Sequence, residues 1–130
     1  MNGLNQYKSY QVNTVTPEEQ IVLLYEGAQR FIDRAAQALE AHDYAGVSHN
    51  VGKAQQIFAE LSASLNFEAG EIAQNLARLY DYWSWRLSQG LIHRDVNAFR
   101  EVSATVGDMA GAWAEAARQV RAQRGVRASG

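Results

Sequence analysis

The sequence predicts an all-α fold: an antiparallel up-down-up-down four-helix bundle preceded by an extended N-terminal segment. Three observations predict it. Apolar residues recur at spacings of three and four through four stretches of about 20–28 residues each. The links between those stretches are so short that consecutive helices must be antiparallel neighbours. No segment alternates with period two for long enough to compete as a strand.

Residues 1–15 are polar with scattered apolar positions and read as an extended segment. The only proline, Pro17, marks the first helix. Thr16-Pro17-Glu18-Glu19 has the form of a capping box with proline at the first helical position. Pro17 also disfavours the α region for Thr16, which suits an N-cap. Ile21, Leu24, Tyr25, Ala28, Ile32, Ala35 and Leu39 form the inward stripe of this helix, which should end near His42. Asp43 can cap a second helix, with Val47, Val51, Ala54, Phe58, Leu61 and Leu65 inward. Residues 66–70 break the pattern. A third helix carries Ile72, Leu76, Leu79, Tyr80, Trp83, Leu87 and Leu91. Asp95 can cap a fourth, with Phe99, Val102, Val106, Met109, Trp113, Ala117 and Val120. The division that follows is an extended segment at 1–15, the bundle at 16–123 and a flexible basic tail at 124–130.

A chain of 130 residues is one domain by size. Folding removes roughly two-thirds of the surface of the extended chain, enough for a core without staples. There is no cysteine, so disulfides, thiolate chemistry and cysteine-based zinc sites are all excluded. The formal net charge is −2, which offers no electrostatic reason for a nucleic-acid or anionic-membrane partner. Arg118, Arg121, Arg124 and Arg127 sit in an acid-free C-terminal stretch, and the first three suit the negative end of a helix dipole. The first residues lack the apolar core of a secretory signal, and no run is long enough to span a membrane. A cytoplasmic protein is the expectation.

The residue patterns that would announce catalysis do not occur. There is no Glu-x-x-His for a di-iron bundle, no His-x-x-x-His, no haem-attachment motif, no phosphate loop and no nucleophile elbow. His42, His49 and His93 are isolated and read as solvated polar residues. Carboxylates stand singly beside arginines and lysines, as on a solvated face. The expectation is a non-enzyme with no cofactor and no metal.

What the sequence holds in excess is apolar surface. On the third helix Trp85 lies about 180° from the core stripe, Ile92 falls beside it and Tyr82 is well off the core side. These three make a second apolar face that a monomeric bundle does not need. On the fourth helix Gly107 and Gly111 are one turn apart, and each costs up to about 1 kcal/mol relative to alanine. Two explanations stand side by side: close packing within the bundle, or a shallow groove for another helix. An apolar patch of this kind marks a partner site or a self-association face. Aromatic residues would anchor either.

Two blocks of the chain resemble a known family. The run from Tyr10 through Val15-Thr16-Pro17 to Leu24-Tyr25-Glu26-Gly27-Ala28 is similar to the start of FliS, the flagellin-specific export chaperones. Gly70-Glu71-Ile72-Ala73, Asn75-Leu76 and Leu79-Tyr80-Asp81-Tyr82 resemble that family's third helix. Position 26 is Glu where the family commonly has Asp, which keeps the charge. The resemblance covers about Tyr7 to Val120. It implies a chaperone that binds the C-terminal region of flagellin, prevents premature polymerisation and delivers it to the type III export gate. It also implies that the N-terminal segment covers an apolar groove, with Tyr7 and Tyr10 as the filling residues. The binding groove expected on this basis comprises Tyr82, Trp85, Ile92, Gly107 and Gly111. The alternative is a self-associating helical adaptor with no flagellin client. A weak homodimer is the further association considered, with no nucleic acid and no membrane insertion.

Overall fold

The computed structural model describes the backbone of residues 15–129 and the side chains of residues 15–125. It contains four helices: α1 (Pro17–Glu40), α2 (Tyr44–Ala63), α3 (Glu71–His93) and α4 (Val96–Ser129). A single 3-10 turn, Phe67–Ala69, joins α2 to α3, and no strand occurs among the described residues.

Three of the four helices, α1, α2 and α4, start where a side chain satisfies an orphan N–H group. The Glu19 N–H donates to Thr16 Oγ1 at 3.1 Å, with Pro17 at the first helical position. The Gly46 N–H donates to Asp43 Oδ1 at 3.0 Å, and the Asn97 N–H to Asp95 Oδ1 at 3.0 Å. Asn66 caps the 3-10 turn through the Glu68 N–H. Gly70 then turns the chain into α3 at φ 77° and ψ −134°, a region that only glycine enters cheaply. At the other end of the bundle, His42 and Arg94 take positive φ in the links after α1 and α3. Arg94 places its guanidinium 3.8 Å from the centroid of the Tyr44 ring, tying the two links together.

The cross-helix contacts define the arrangement. Gly27 sits against Ile57 and Gly46 against Ala38, which pairs α1 with α2. Gln55 Nε2 donates to the Ser84 carbonyl and to Ser88 Oγ, pairing α2 with α3. Tyr82 Oη donates to Glu101, and Gly90 packs against Ala98 and Phe99, pairing α3 with α4. Gln29 Nε2 donates to the Ser103 carbonyl, Ser103 Oγ donates to Asp33, and Arg121 and Arg100 bond Glu19 and Glu40. In each pair, numbers rise along one helix as they fall along its neighbour, so adjacent helices run antiparallel and α4 closes the ring onto α1. The contacts of α1 with α2 and α4 are the most extensive; α3 is held more lightly.

The core is aromatic at its centre. Tyr25 reaches from α1 toward α3, with ring centroids 6.1 Å from Tyr80 and 5.9 Å from Trp83 in edge-to-face contact. Phe58 of α2 lies 5.3 Å from Trp83. The Tyr25 and Tyr80 hydroxyls share a hydrogen bond of 2.7 Å. Most of the inward stripes read from the sequence are buried here, including Ile32, Val51, Phe58, Leu87, Phe99 and Val106. Ile72 is an exception. It is 70% exposed, because in the first turn of α3 the bundle covers only Ala73. The fourth helix also runs past residue 123, to Ser129. Its last turns are rich in alanine, arginine and glutamine, which propagate a helix well.

Candidate functional site

Among the described residues, two apolar surfaces gather several side chains that the bundle leaves uncovered. The first is a ledge on the outer side of α3. Trp83 and Leu87 use the inward side, which leaves Tyr82, Trp85 and Ile92 pointing away, 44%, 55% and 67% exposed. The Tyr82 and Trp85 rings lie side by side, with centroids 5.9 Å apart and planes tilted by 38°. A polar clamp orients the Tyr82 ring. Tyr82 Oη donates to Glu101 Oε2 at 2.6 Å, and Arg86 Nε donates to the other carboxylate oxygen at 3.3 Å. The bond to Glu101 pushes the Tyr82 phenol above its ordinary pKa. The same bond, helped by Arg86, holds the Glu101 carboxyl below the usual carboxylate range.

The glycine pair lies elsewhere. A Cβ on Gly107 would meet the Gln29 amide at 2.5 Å, so Gly107 faces α1 inside the bundle and makes room for that side chain. Glu101, which α3 holds, lies about 120° away around α4. Gly111, one turn on, is exposed with open space beside it. The structure therefore groups Tyr82, Trp85 and Ile92 on one face and sets Gly107 apart from them. Tyr7 and Tyr10 lie outside the described residues.

The second surface is a groove between the start of α1 and the end of α4, with a volume of about 390 Å³. Val15, Val22 and Leu23 form one apolar wall, and Ala114 and Ala117 the other. Glu19, Arg118 and Arg121 make the charged part of its lining. Arg121 donates from Nε to Glu19 at 2.8 Å, and Arg118 bonds Glu115 of its own helix, which holds the Glu115 carboxyl below its ordinary range. Leu23 is 62% exposed. The sequence reading did not single out this groove. Its signal was the unbroken run Ile21-Val22-Leu23-Leu24, which is wider than the one stripe that a packed helix needs. A third, more polar cleft of about 310 Å³ lies between α2 and α3 beside Gln55, Asp81 and Ser84.

Among the described residues no cluster of three or more His, Cys, Asp or Glu is placed to hold a metal ion. Among those residues no helix is long and apolar enough to cross a membrane. The site offers apolar area, oriented aromatic rings and arginines.

A family model described as flagellar protein FliS matches residues 1–120. The chain belongs to the FliS family. It is 39% identical over 123 residues to the flagellar secretion chaperone FliS of Bacillus subtilis, covering 92% of each chain. It is 36% identical over 104 residues to the flagellar secretion chaperone FliS of Salmonella typhimurium, covering 78% of this chain and 77% of that one. A solved structure titled as a flagellar chaperone from bacteria has a TM-score of 0.75 at 18% identity. It covers 91% of this chain and 99% of the other, and shows the shared helical fold. The two FliS-like blocks meet in the core of this bundle. The Leu-Tyr-Glu-Gly-Ala block supplies Tyr25, the Leu-Tyr-Asp-Tyr block supplies Tyr80, and their hydroxyls form the 2.7 Å bond. The residues that carry the resemblance thus hold α1 to α3, and the same blocks reach the open surfaces through Tyr82 on the ledge and Val15, Val22 and Leu23 in the groove.

Proposed function

We propose that this FliS-family chain is a cytoplasmic flagellar secretion chaperone. It binds the C-terminal region of flagellin, prevents premature polymerisation and delivers the subunit to the type III export gate. The observation that supports this reading is apolar surface held in a defined shape with nothing of the bundle on it: the Tyr82–Trp85 ledge and the Leu23 groove. A client segment that folds on binding loses conformational entropy and needs such surface in return. Burial of Trp85 alone is worth about 2–3 kcal/mol.

Calorimetric titration with the last ~40 residues of the flagellin from the same genome tests the reading. A 1:1 complex with a strongly negative heat-capacity change is expected. No heat at tens of micromolar would rule it out. The second reading, a self-associating adaptor, is favoured by the same ledge, because three apolar residues on one helix face can pair with their copies. Light scattering decides it: a stable dimer lost in Trp85→Glu, together with an absent client complex, is the signature of the adaptor.

A further inference from the structure

We infer that Glu101 is a positioning residue for the ledge: its carboxylate fixes the Tyr82 ring in the pose that the client meets. The inference rests on the chaperone reading and adds which residue of α4 sets the shape of a surface carried by α3.

Three observations carry it. The first is the geometry of the bonds. Tyr82 and Arg86 stand one turn apart on α3, and Glu101 reaches both from α4. Each carboxylate oxygen has its own donor: Oε2 takes the Tyr82 hydroxyl at 2.6 Å, and Oε1 takes Arg86 Nε at 3.3 Å. The carboxylate is thus held from two sides. The phenol is anchored at its backbone end and at its hydroxyl, which excludes its other rotamers. The second is the support behind the clamp. The Arg86 side chain is only 25% exposed, and its Nη2 lies 3.9 Å from Asp95 Oδ2. The other oxygen of Asp95 accepts the Asn97 N–H at the start of α4. The chain of contacts from Tyr82 therefore ends on the backbone of the α3–α4 link. The third is what the clamp leaves open. It engages the hydroxyl alone, so the polar tip of Tyr82 is satisfied within the chain while its ring stays exposed beside Trp85. A free exposed ring must be ordered when a client lands on it, which costs affinity. A ring held beforehand avoids that cost. The bond is charge-assisted and so stronger than a neutral one, and it keeps the phenol above its ordinary pKa.

The test uses the full-length protein, the flagellin C-terminal peptide and three variants: Glu101→Ala, Tyr82→Phe and the two together. Each single variant should bind the peptide about fivefold more weakly, the cost of ordering one side chain on binding. The double variant should bind as either single one does, because ring and carboxylate act through one bond. Helicity should stay that of the wild type in all three. Nuclear magnetic resonance of ring-labelled tyrosine adds a readout without the client: in Glu101→Ala the Tyr82 phenol should titrate closer to the ordinary tyrosine value. Wild-type affinity in Glu101→Ala overturns the inference and leaves the chaperone reading intact. So does a Tyr82 phenol that titrates alike in the two proteins. Additive losses in the double variant overturn it as well, because Glu101 would then act on the client without Tyr82. If the wild type binds no peptide, both readings fall together.

Discussion

At the scale of single residues, the buried polar groups decide most. Tyr25 and Tyr80 each place a hydroxyl in the aromatic core, and each is satisfied by the other. Removing one partner leaves a buried hydroxyl with a poorer set of bonds, which costs about 1–3 kcal/mol; removing both restores a matched apolar contact. Tyr25→Phe and Tyr80→Phe should therefore each lose about 1–2 kcal/mol in urea unfolding. The double variant should lose no more than either single one, and simple additivity would contradict the pairing. Burial raises the pKa of both phenols above the ordinary tyrosine value, with the hydroxyl bond adding to the rise at Tyr80. The sign follows from which state releases protons first. The unfolded chain ionises near pH 10, while the folded chain still holds these protons. Their contribution is thus complete below about pH 10 and is lost as pH rises above it. Chemical denaturation at pH 9 and pH 11 should show a steeper loss for the wild type than for the double phenylalanine variant. Trp83 is the contrasting case. Its ring is fully buried, yet its Nε1–H has no partner among the described residues, so Trp83→Phe removes an unsatisfied donor along with some volume. It should cost far less than the roughly 3–5 kcal/mol of Trp83→Ala.

At the scale of helices, glycines report where backbones approach. The pair Gly107 and Gly111 stood out in the sequence because two glycines weaken one helix. Only spatial neighbours tell them apart, and those belong to another helix. Gly107 accommodates Gln29 and its bond to the Ser103 carbonyl, whereas Gly111 has open space. The glycine closest to a rigid neighbour is Gly90, where a Cβ would come within 2.8 Å of the Phe99 ring. No periodicity could mark it, since it sits among ordinary positions near the end of α3. Alanine substitution sorts the three. Gly111→Ala should stabilise by about 0.5–1 kcal/mol, the full propensity gain. Gly107→Ala should gain less or lose, because Gln29 must move. Gly90→Ala should destabilise by about 1–3 kcal/mol through overpacking between α3 and α4. Thermal melts of the three variants, read in that order, check the assignment. Caps were legible because they depend on residues two or three apart: the Glu19 N–H bonds Thr16, the Gly46 N–H bonds Asp43 and the Asn97 N–H bonds Asp95, while the Glu19 carboxylate, expected to complete a capping box, bonds Arg121. Ile72 was misread because a stripe records angle around a helix and not how far along the axis its neighbours extend.

For the molecule as a whole, angle was enough to find the ledge and not enough to find the groove. Trp85 announces itself from a helical wheel alone, being opposite Trp83. The groove needs two helices, α1 and α4, brought together from opposite ends of the chain, and its apolar wall of Val22 and Leu23 is only a widened stripe in the sequence. The two surfaces sit on different helices and are separated by the core that Tyr25 and Tyr80 tie together. A compact ligand covers one of them; an extended polypeptide is needed to cover both. This makes the number of surfaces used by a client measurable. Leu23→Ser and Trp85→Ser each remove an exposed apolar side chain with few packing partners, so each should leave unfolding free energy within about 0.5 kcal/mol of the wild type. Each should weaken the flagellin C-terminal peptide by about 1–2 kcal/mol, the value of one apolar anchor. If one extended client occupies both surfaces, the double variant should lose the sum, because the two sites share no contacts. A peptide cut back until it spans only one surface should then keep its sensitivity to one substitution and lose its sensitivity to the other. Sensitivity to Trp85→Ser and indifference to Leu23→Ser in peptides of every length would mean that the groove is not used, and that the ledge alone selects the client.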